Sequence, residues 1–207
     1  MKKTVEQLMV EISPLILNYP WRDAVMYGHW LSQQYYIVRH STPMLALSCG
    51  RSIDNPTYHR RCIEHLAEEK GHDRMLLNDL KILGRPLEAE LPATRAFYGS
   101  QYYQIEHVNP VSFLGYILFL EALAITFGKE TLAKASTTTK ALTFLKLHAE
   151  EDEGHLESAY QIISGLPPGD QKAIVENLKM SARSYEAMLQ DLHALGSVQT
   201  HSKKKAA

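Results

Sequence analysis

Cysteine is scarce in this chain of 207 residues: only Cys49 and Cys62 occur, and they form no C-x-x-C pair. Two thiols exclude a disulfide framework and read as small buried hydrophobes in a reducing cytosol. Charge of one sign is lacking too. With 22 Lys and Arg against 23 Asp and Glu, the net charge is −1 and no electrostatic footprint for nucleic acid is visible. Nor is there an uninterrupted apolar run near the roughly 20 residues of a membrane span. The nearest approach, FLGYILFLEALAITFG, is broken by Glu121. The first residues are MKK, but TVEQLMVEIS follows, with two glutamates where a signal peptide needs an apolar core. A cytoplasmic protein acting without nucleic acid or membrane is expected. Strand-like alternation, tandem repeats and low-complexity tracts are absent as well.

What is there is helical periodicity, nearly throughout. Residues 4–18 read as a helix capped by Thr4 and bent or split at Pro14. A second helical region spans 21–47, with a break at Pro43. A third spans 56–83, opening after Asp54-Asn55 and closing at Gly84 and Pro86. Helices follow over 93–106, over 111–127 ending at Gly128, over 129–136, over 139–163, and over 169–194 ending at Gly196. The connections are short, as in an antiparallel bundle. The expectation is one all-α domain over 1–196, then a flexible polar tail over 197–207 containing Lys203-Lys204-Lys205. Exposed apolar helix faces are compatible with a homodimer.

The chemistry concentrates in HAEEDEGH. On a helix, His148, Asp152 and His155 lie at i, i+4 and i+7 and share one stripe. Glu150, Glu151 and Glu153 point elsewhere, towards solvent. A similar spacing recurs in EHLAEEKGH, which puts His65, Glu69 and His72 at the same offsets, with Glu68 in reach of the His72 face. The third piece is Glu121, a carboxylate on a helix that is apolar nearly all round. Buried there, it needs an ion pair, a tyrosine hydrogen bond or a directly bound cation. Together the three helices offer His72, His148, His155, Glu69 (or Glu68), Glu121 and Asp152. That nitrogen and oxygen set has no thiolate. It suits iron, or manganese, better than structural zinc or an iron–sulfur cluster, and it is large enough for two metals with open positions. Glu69-Lys-Gly-His72 also has the Glu-x-x-His form used by ferritin-like carboxylate bundles.

Three motifs, AEEKGHD (67–73), GYILFLEAL (115–123) and FLKLHAEEDEGH (144–155), resemble those of the heme-oxygenase-like diiron oxidases. These are also described as iron-containing redox enzymes or TenA-like proteins. QQYYIVRHSTPML (33–45) is similar to an early helix of that fold, so the resemblance covers about 27–160. It implies a heme-oxygenase-like bundle of about seven helices and an enzyme that activates O2 at two Fe2+ ions. Such an enzyme oxidises a small molecule by N-oxygenation, desaturation or oxidative C–C cleavage. Carried over, one iron takes Glu69 or Glu68, His72 and His148, and the other takes Glu121, Asp152 and His155. One position departs from the pattern. Where some members carry an acid seven residues before the first histidine, this chain has His65, so His65 itself is a candidate ligand. Tyr27, Tyr36 and His40 fall near positions where the fold lines its substrate pocket. The same fold hosts TenA-type hydrolases, which need a nucleophilic cysteine, and heme-binding proteins, for which His29 or His40 would be the axial candidates. A metal-binding protein without turnover is the remaining alternative.

Overall fold

The structure, a computed structural model, describes residues 1–150 and 153–205, the side chains of 153–155 and 198–205 excepted. Ten α-helical segments and no strand occur among the described residues. They are α1 (Lys2–Leu17), α2 (Ala24–Val38), α3 (Ser41–Gly50), α4 (Pro56–Glu69), α5 (His72–Leu83), α6 (Pro92–Tyr103), α7 (Phe113–Ala135), α8 (Thr143–Ala149), α9 (Glu153–Ser164) and α10 (Pro168–Lys205). A π-helical turn, Gln104–Val108, and a 3-10 turn, Pro110–Ser112, lead from α6 to α7. Joined as pieces of interrupted helices, α2 with α3 and α4 with α5, the described segments form eight units. The class is all-α, as expected.

The interruptions fall in other places than the prolines and glycines alone suggest. Pro14 lies inside α1 without ending it. The carbonyl it leaves without an amide belongs to Val10, which is 73% exposed, so water can serve it. Pro43 sits in the first turn of α3, where amides have no intrahelical acceptor in any case. The break comes four residues earlier, at Arg39-His40, because Pro43 can offer no hydrogen to the Arg39 carbonyl. The expected helix 56–83 is broken after Glu69: Lys70 is extended, and Gly71 takes φ +95°, a left-handed value that glycine adopts without strain. Conversely, α7 runs through Gly128 and replaces the two helices expected over 111–136. Likewise α10 does not stop near Gly196 but continues to Lys205.

Helix α7 is the axis of the bundle and packs against α10, α8, α1 and α9. By length and composition Pro110–Ala135 could cross a membrane, yet 72% of its most apolar stretch is buried inside the protein. Gly115 permits the closest approach, since a Cβ there would collide with the Ile174 carbonyl of α10. A buried polar network sets the register at that end. Asn177 Nδ2 donates to Gln101 Oε1 at 2.8 Å, and Ser181 Oγ donates to Asn177 Oδ1 at 3.0 Å, joining α6 to α10. On the other side Gln33 ties α2 to the loop before α6. It accepts from the Leu91 amide and the Thr94 hydroxyl and donates to the Ala89 carbonyl. Buried amides hydrogen-bonded in this way specify one packing arrangement.

Candidate metal centre and its cavity

The last turn of α4 presents His65 and Glu69, and the first residue of α5 is His72. His65, Glu69 and His72 therefore do not form one continuous helical stripe. The left-handed Gly71 folds the chain back instead, and the three side chains still meet: Glu69 Oε1 lies 3.5 Å from His65 Nε2 and 3.7 Å from His72 Nδ1. Helix α8 brings His148 to the same place, its ring centroid 5.2 Å from that of His72 and nearly perpendicular to it. One donor atom from each of Glu69, His72 and His148 can be chosen so that all lie within 4.8 Å of one another.

Each of these groups is prepared for a cation. His148 Nδ1 lies 2.9 Å from the Phe144 carbonyl, so Nδ1–H donates there and the ring orientation is fixed. The Nδ1 atoms of His65 and His72 are buried and have no hydrogen-bond partner among the described residues. Burial alone would raise the Glu69 carboxyl. The hydrogen bond from His65 and the positive fields of His65, His72 and His148 outweigh it and hold the carboxyl at about 2. Burial lowers the His148 imidazole, offset in part by the Phe144 carbonyl and Glu69. A carboxylate and neutral imidazoles are the forms that bind metal. Two nitrogens and a carboxylate, with no thiolate, fit iron or manganese.

The position of His148 is set from outside its own helix. Asp79, fully buried on α5, accepts the Thr143 amide at 3.0 Å and the Phe144 amide at 2.9 Å, capping α8 from a neighbouring helix. Tyr27 donates to the Ala141 carbonyl just before α8. Gly128 lets α8 lie against α7, since a Cβ there would come 2.9 Å from Ala149 Cα. Asp79 was not singled out from the sequence. The available signal was its place seven residues after His72, on the same face of α5.

Glu121 is buried, as its apolar helix implied, and Arg61 lies beside it with Nη2 3.5 Å from Oε1. The other guanidinium nitrogen of Arg61 reaches Glu68 Oε2 at 3.2 Å, so Glu68 faces Arg61 and solvent and is not part of the Glu69 cluster. A buried ion pair, one of the arrangements open to Glu121, is thus present. Asp152 and the side chain of His155 lie outside the described residues.

A cavity of about 440 Å³ opens beside the cluster, and His65, Glu68, Glu69, His72, Glu121 and His148 contribute to its wall. Most of the remaining lining is aliphatic or aromatic. Tyr27, Tyr36 and His40 are not among its lining residues. Tyr36 donates to the Glu88 carbonyl, and His40 stacks on Tyr98 and bonds the Tyr102 hydroxyl, so these side chains serve packing between helices and loops. Tyr116, Tyr185, Trp21 and Trp30, none of them singled out from the sequence, line the cavity instead. Neither cysteine reaches it. Cys62 is buried, which pushes its thiol up, and Cys49 Sγ lies 3.4 Å from His59 Nδ1. The thiol that a TenA-type hydrolase needs is therefore not at this cavity.

This architecture has known counterparts. A domain of unknown function with a heme oxygenase-like fold from Shewanella denitrificans superposes with a TM-score of 0.83 at 20% identity, covering 96% of this chain and 94% of that one. A TenA homolog from Pseudomonas syringae pv. tomato gives 0.71 at 13% identity, covering 91% and 92%. A TenA homologue from Pyrococcus furiosus gives 0.64 at 12% identity, covering 91% and 98%. The fold is thus heme-oxygenase-like. Residues 28–186 match the iron-containing redox enzymes, and the chain belongs to that family. Among curated proteins none matches it.

Proposed function

We propose that the protein is a nonheme iron oxidoreductase that uses O2 to oxidise a small molecule held in the 440 Å³ cavity. The observation that carries this reading is the convergence of Glu69, His72 and His148 on the cavity wall of a chain from an iron-containing redox family. These three would hold one iron, with His65 supporting Glu69. Glu121, Asp152 and His155 would hold a second. When bound, the iron supplies O2 activation for N-oxygenation, desaturation or oxidative C–C cleavage. The chain's own residues bind and orient. Nδ1–H donation to Phe144 fixes the His148 ring, His65 Nε2 can keep a proton against Glu69, and the apolar lining excludes water from the reacting molecule. The same reading places the enzyme in the cytoplasm, acting without nucleic acid or membrane.

Anaerobic titration of chelator-treated protein with Fe(II) tests it. Close to two irons per chain, with loss of the first in His72→Ala or His148→Ala, is the expected result, followed by O2 uptake once substrate is present. One iron per chain would keep the Glu69 site and remove the second. No binding by folded wild-type protein would sink the proposal.

A further inference from the structure

Away from the metal cluster the cavity wall carries few polar side chains, and most of them are spent on the protein itself. Trp21 Nε1 donates to the Ile16 carbonyl at 2.8 Å, and Thr131 Oγ1 to the Phe127 carbonyl at 2.9 Å. The Tyr116 hydroxyl is sealed, its ring centroid 4.8 Å from that of Phe97 and 5.2 Å from that of Phe113. The Tyr185 hydroxyl accepts from Gln34 Nε2 at 3.1 Å. Burial pushes that phenol up to about 12, while hydrogen bonds from Trp30 and Gln34 oppose the rise. The Ser41 hydroxyl, beyond the break between α2 and α3, rotates freely and fixes no direction. Gln34 Oε1 differs from all of these. It accepts from no group among the described residues, yet it is not one of the buried polar atoms sealed from water. Gln34 lines the cavity and is 4% exposed in all, so whatever reaches this oxygen reaches it through the cavity. Tyr185 holds the other side of the carboxamide and so fixes where Oε1 points.

We infer that the cavity binds a largely hydrocarbon molecule bearing an uncharged donor, a hydroxyl or an amide N–H, and that Gln34 Oε1 accepts its hydrogen bond. A molecule that displaces water from an open acceptor must bring a donor of its own or leave the acceptor unpaired. The carboxylates of the wall are Glu68, Glu69 and Glu121, which face histidines or Arg61. An ammonium at Gln34 would therefore be buried without a counter-charge, so the donor is neutral. The rest of the molecule lies among Ile37, Leu45, Phe127 and Leu189, which offer dispersion contacts and no polar side-chain atoms. Trp30, one turn before Gln34 on α2, has its ring centroid 6.3 Å from that of Phe144, which in turn lies 4.1 Å from that of His148. Anchored at Gln34, the molecule keeps its polar group on the far side of Phe144 and presents carbon to the Glu69–His72–His148 end. This deepens the oxidase reading, on which it depends only for calling the bound molecule the substrate.

The test uses Trp21 and Trp30. They are the only tryptophans and both line the cavity, so intrinsic fluorescence reports occupancy directly. Full-length, metal-free protein is titrated with 1-octanol and with its isomer heptyl methyl ether, which keeps the oxygen and lacks the donor. Because iron is absent, a failure of the metal centre does not affect the outcome. A hydroxyl costs more than an ether oxygen to take out of water, so the alcohol matches the ether only where it finds an acceptor. Octanol should bind wild type at least as tightly as the ether does. Gln34→Leu should weaken octanol about tenfold, the loss of one hydrogen bond, and leave the ether unchanged. Octanol binding more weakly than the ether, or no binding of either, overturns the inference even if Gln34→Leu fails to fold. So does a folded Gln34→Leu that holds octanol as wild type does. Equal weakening of both probes in that variant also overturns it, since that is the result of a purely structural role for Gln34.

Discussion

Asp79 is the residue on which the geometry of the candidate metal site depends, through the backbone of α8. It accepts two backbone amides of α8, one of them from Phe144, whose carbonyl in turn orients His148. Asp79→Ala leaves both amides without an acceptor, so it should destabilise the protein by about 0.5–2 kcal/mol in chemical denaturation. It should also weaken Mn(II) binding, followed by electron paramagnetic resonance, by about 10–100-fold. Asp79→Asn retains one acceptor oxygen and should recover part of both losses. Arg61 is a second case. Its guanidinium bridges Glu121 and Glu68, so Arg61→Ala removes the cation facing a buried carboxylate. Metal-free protein should lose about 1–3 kcal/mol. If Glu121 is a ligand, saturating Fe(II) narrows the gap between variant and wild type; an unchanged gap would count against Glu121 in that role.

At the scale of the helix, two glycines of α7 separate packing from site geometry. A Cβ on Gly128 meets Ala149 backbone, which cannot move without carrying α8 and His148 with it. A Cβ on Gly115 instead meets the α10 backbone at Ile174 and Leu178, away from the ligands. Both Gly→Ala changes overpack a helix interface and should cost about 1–3 kcal/mol or more. Gly128→Ala alone should lower metal affinity beyond what its stability loss explains, a contrast measurable by metal titration well below either melting point. The break at Lys70-Gly71 belongs to the same scale. Gly71→Ala would force a side chain into φ +95° and should shift α5, with His72 at its start, relative to α4.

For the molecule as a whole, pH stability follows from the buried phenols and from Glu69. Burial raises Tyr19, Tyr27, Tyr58 and Tyr116 above the ordinary tyrosine value of about 10, and pushes Tyr185 up to about 12. The unfolded chain therefore releases these protons first as pH rises. Stability from this source is intact below pH ~10 and falls between there and about 12. Absorbance at 295 nm should show the buried phenols ionising together with loss of helical circular dichroism, not before it. On the acid side the sign reverses. Glu69 is held at about 2, so its contribution is present above the ordinary carboxylate range and fades as pH falls towards that value. Iron or manganese at 100 times its dissociation constant should add about 2.7 kcal/mol of stability, read as a rise in melting temperature.

The amino-acid sequence by itself determined the helical class, because apolar spacing of three and four residues has no other satisfactory burial. It also determined the donor types, since only histidine and carboxylate recur at helical offsets in EHLAEEKGH and HAEEDEGH. That Glu121 is buried was legible from the apolar residues on every side of it. Where helices stop was less so: Pro43 acts through the Arg39 carbonyl, Gly128 and Gly196 serve close packing within continuous helices, and Gly71 breaks one that periodicity alone would carry through. Only the tertiary structure decided which aromatic residues line the cavity and what holds His148 in place. Tyr27, Tyr36 and Tyr116 are chemically identical. Their roles diverge because two of them find carbonyl acceptors on neighbouring segments and the third, wedged between two phenylalanines, finds none. The Asp79 cap on α8 joins residues more than sixty positions apart, and such a contact leaves no local periodicity to read.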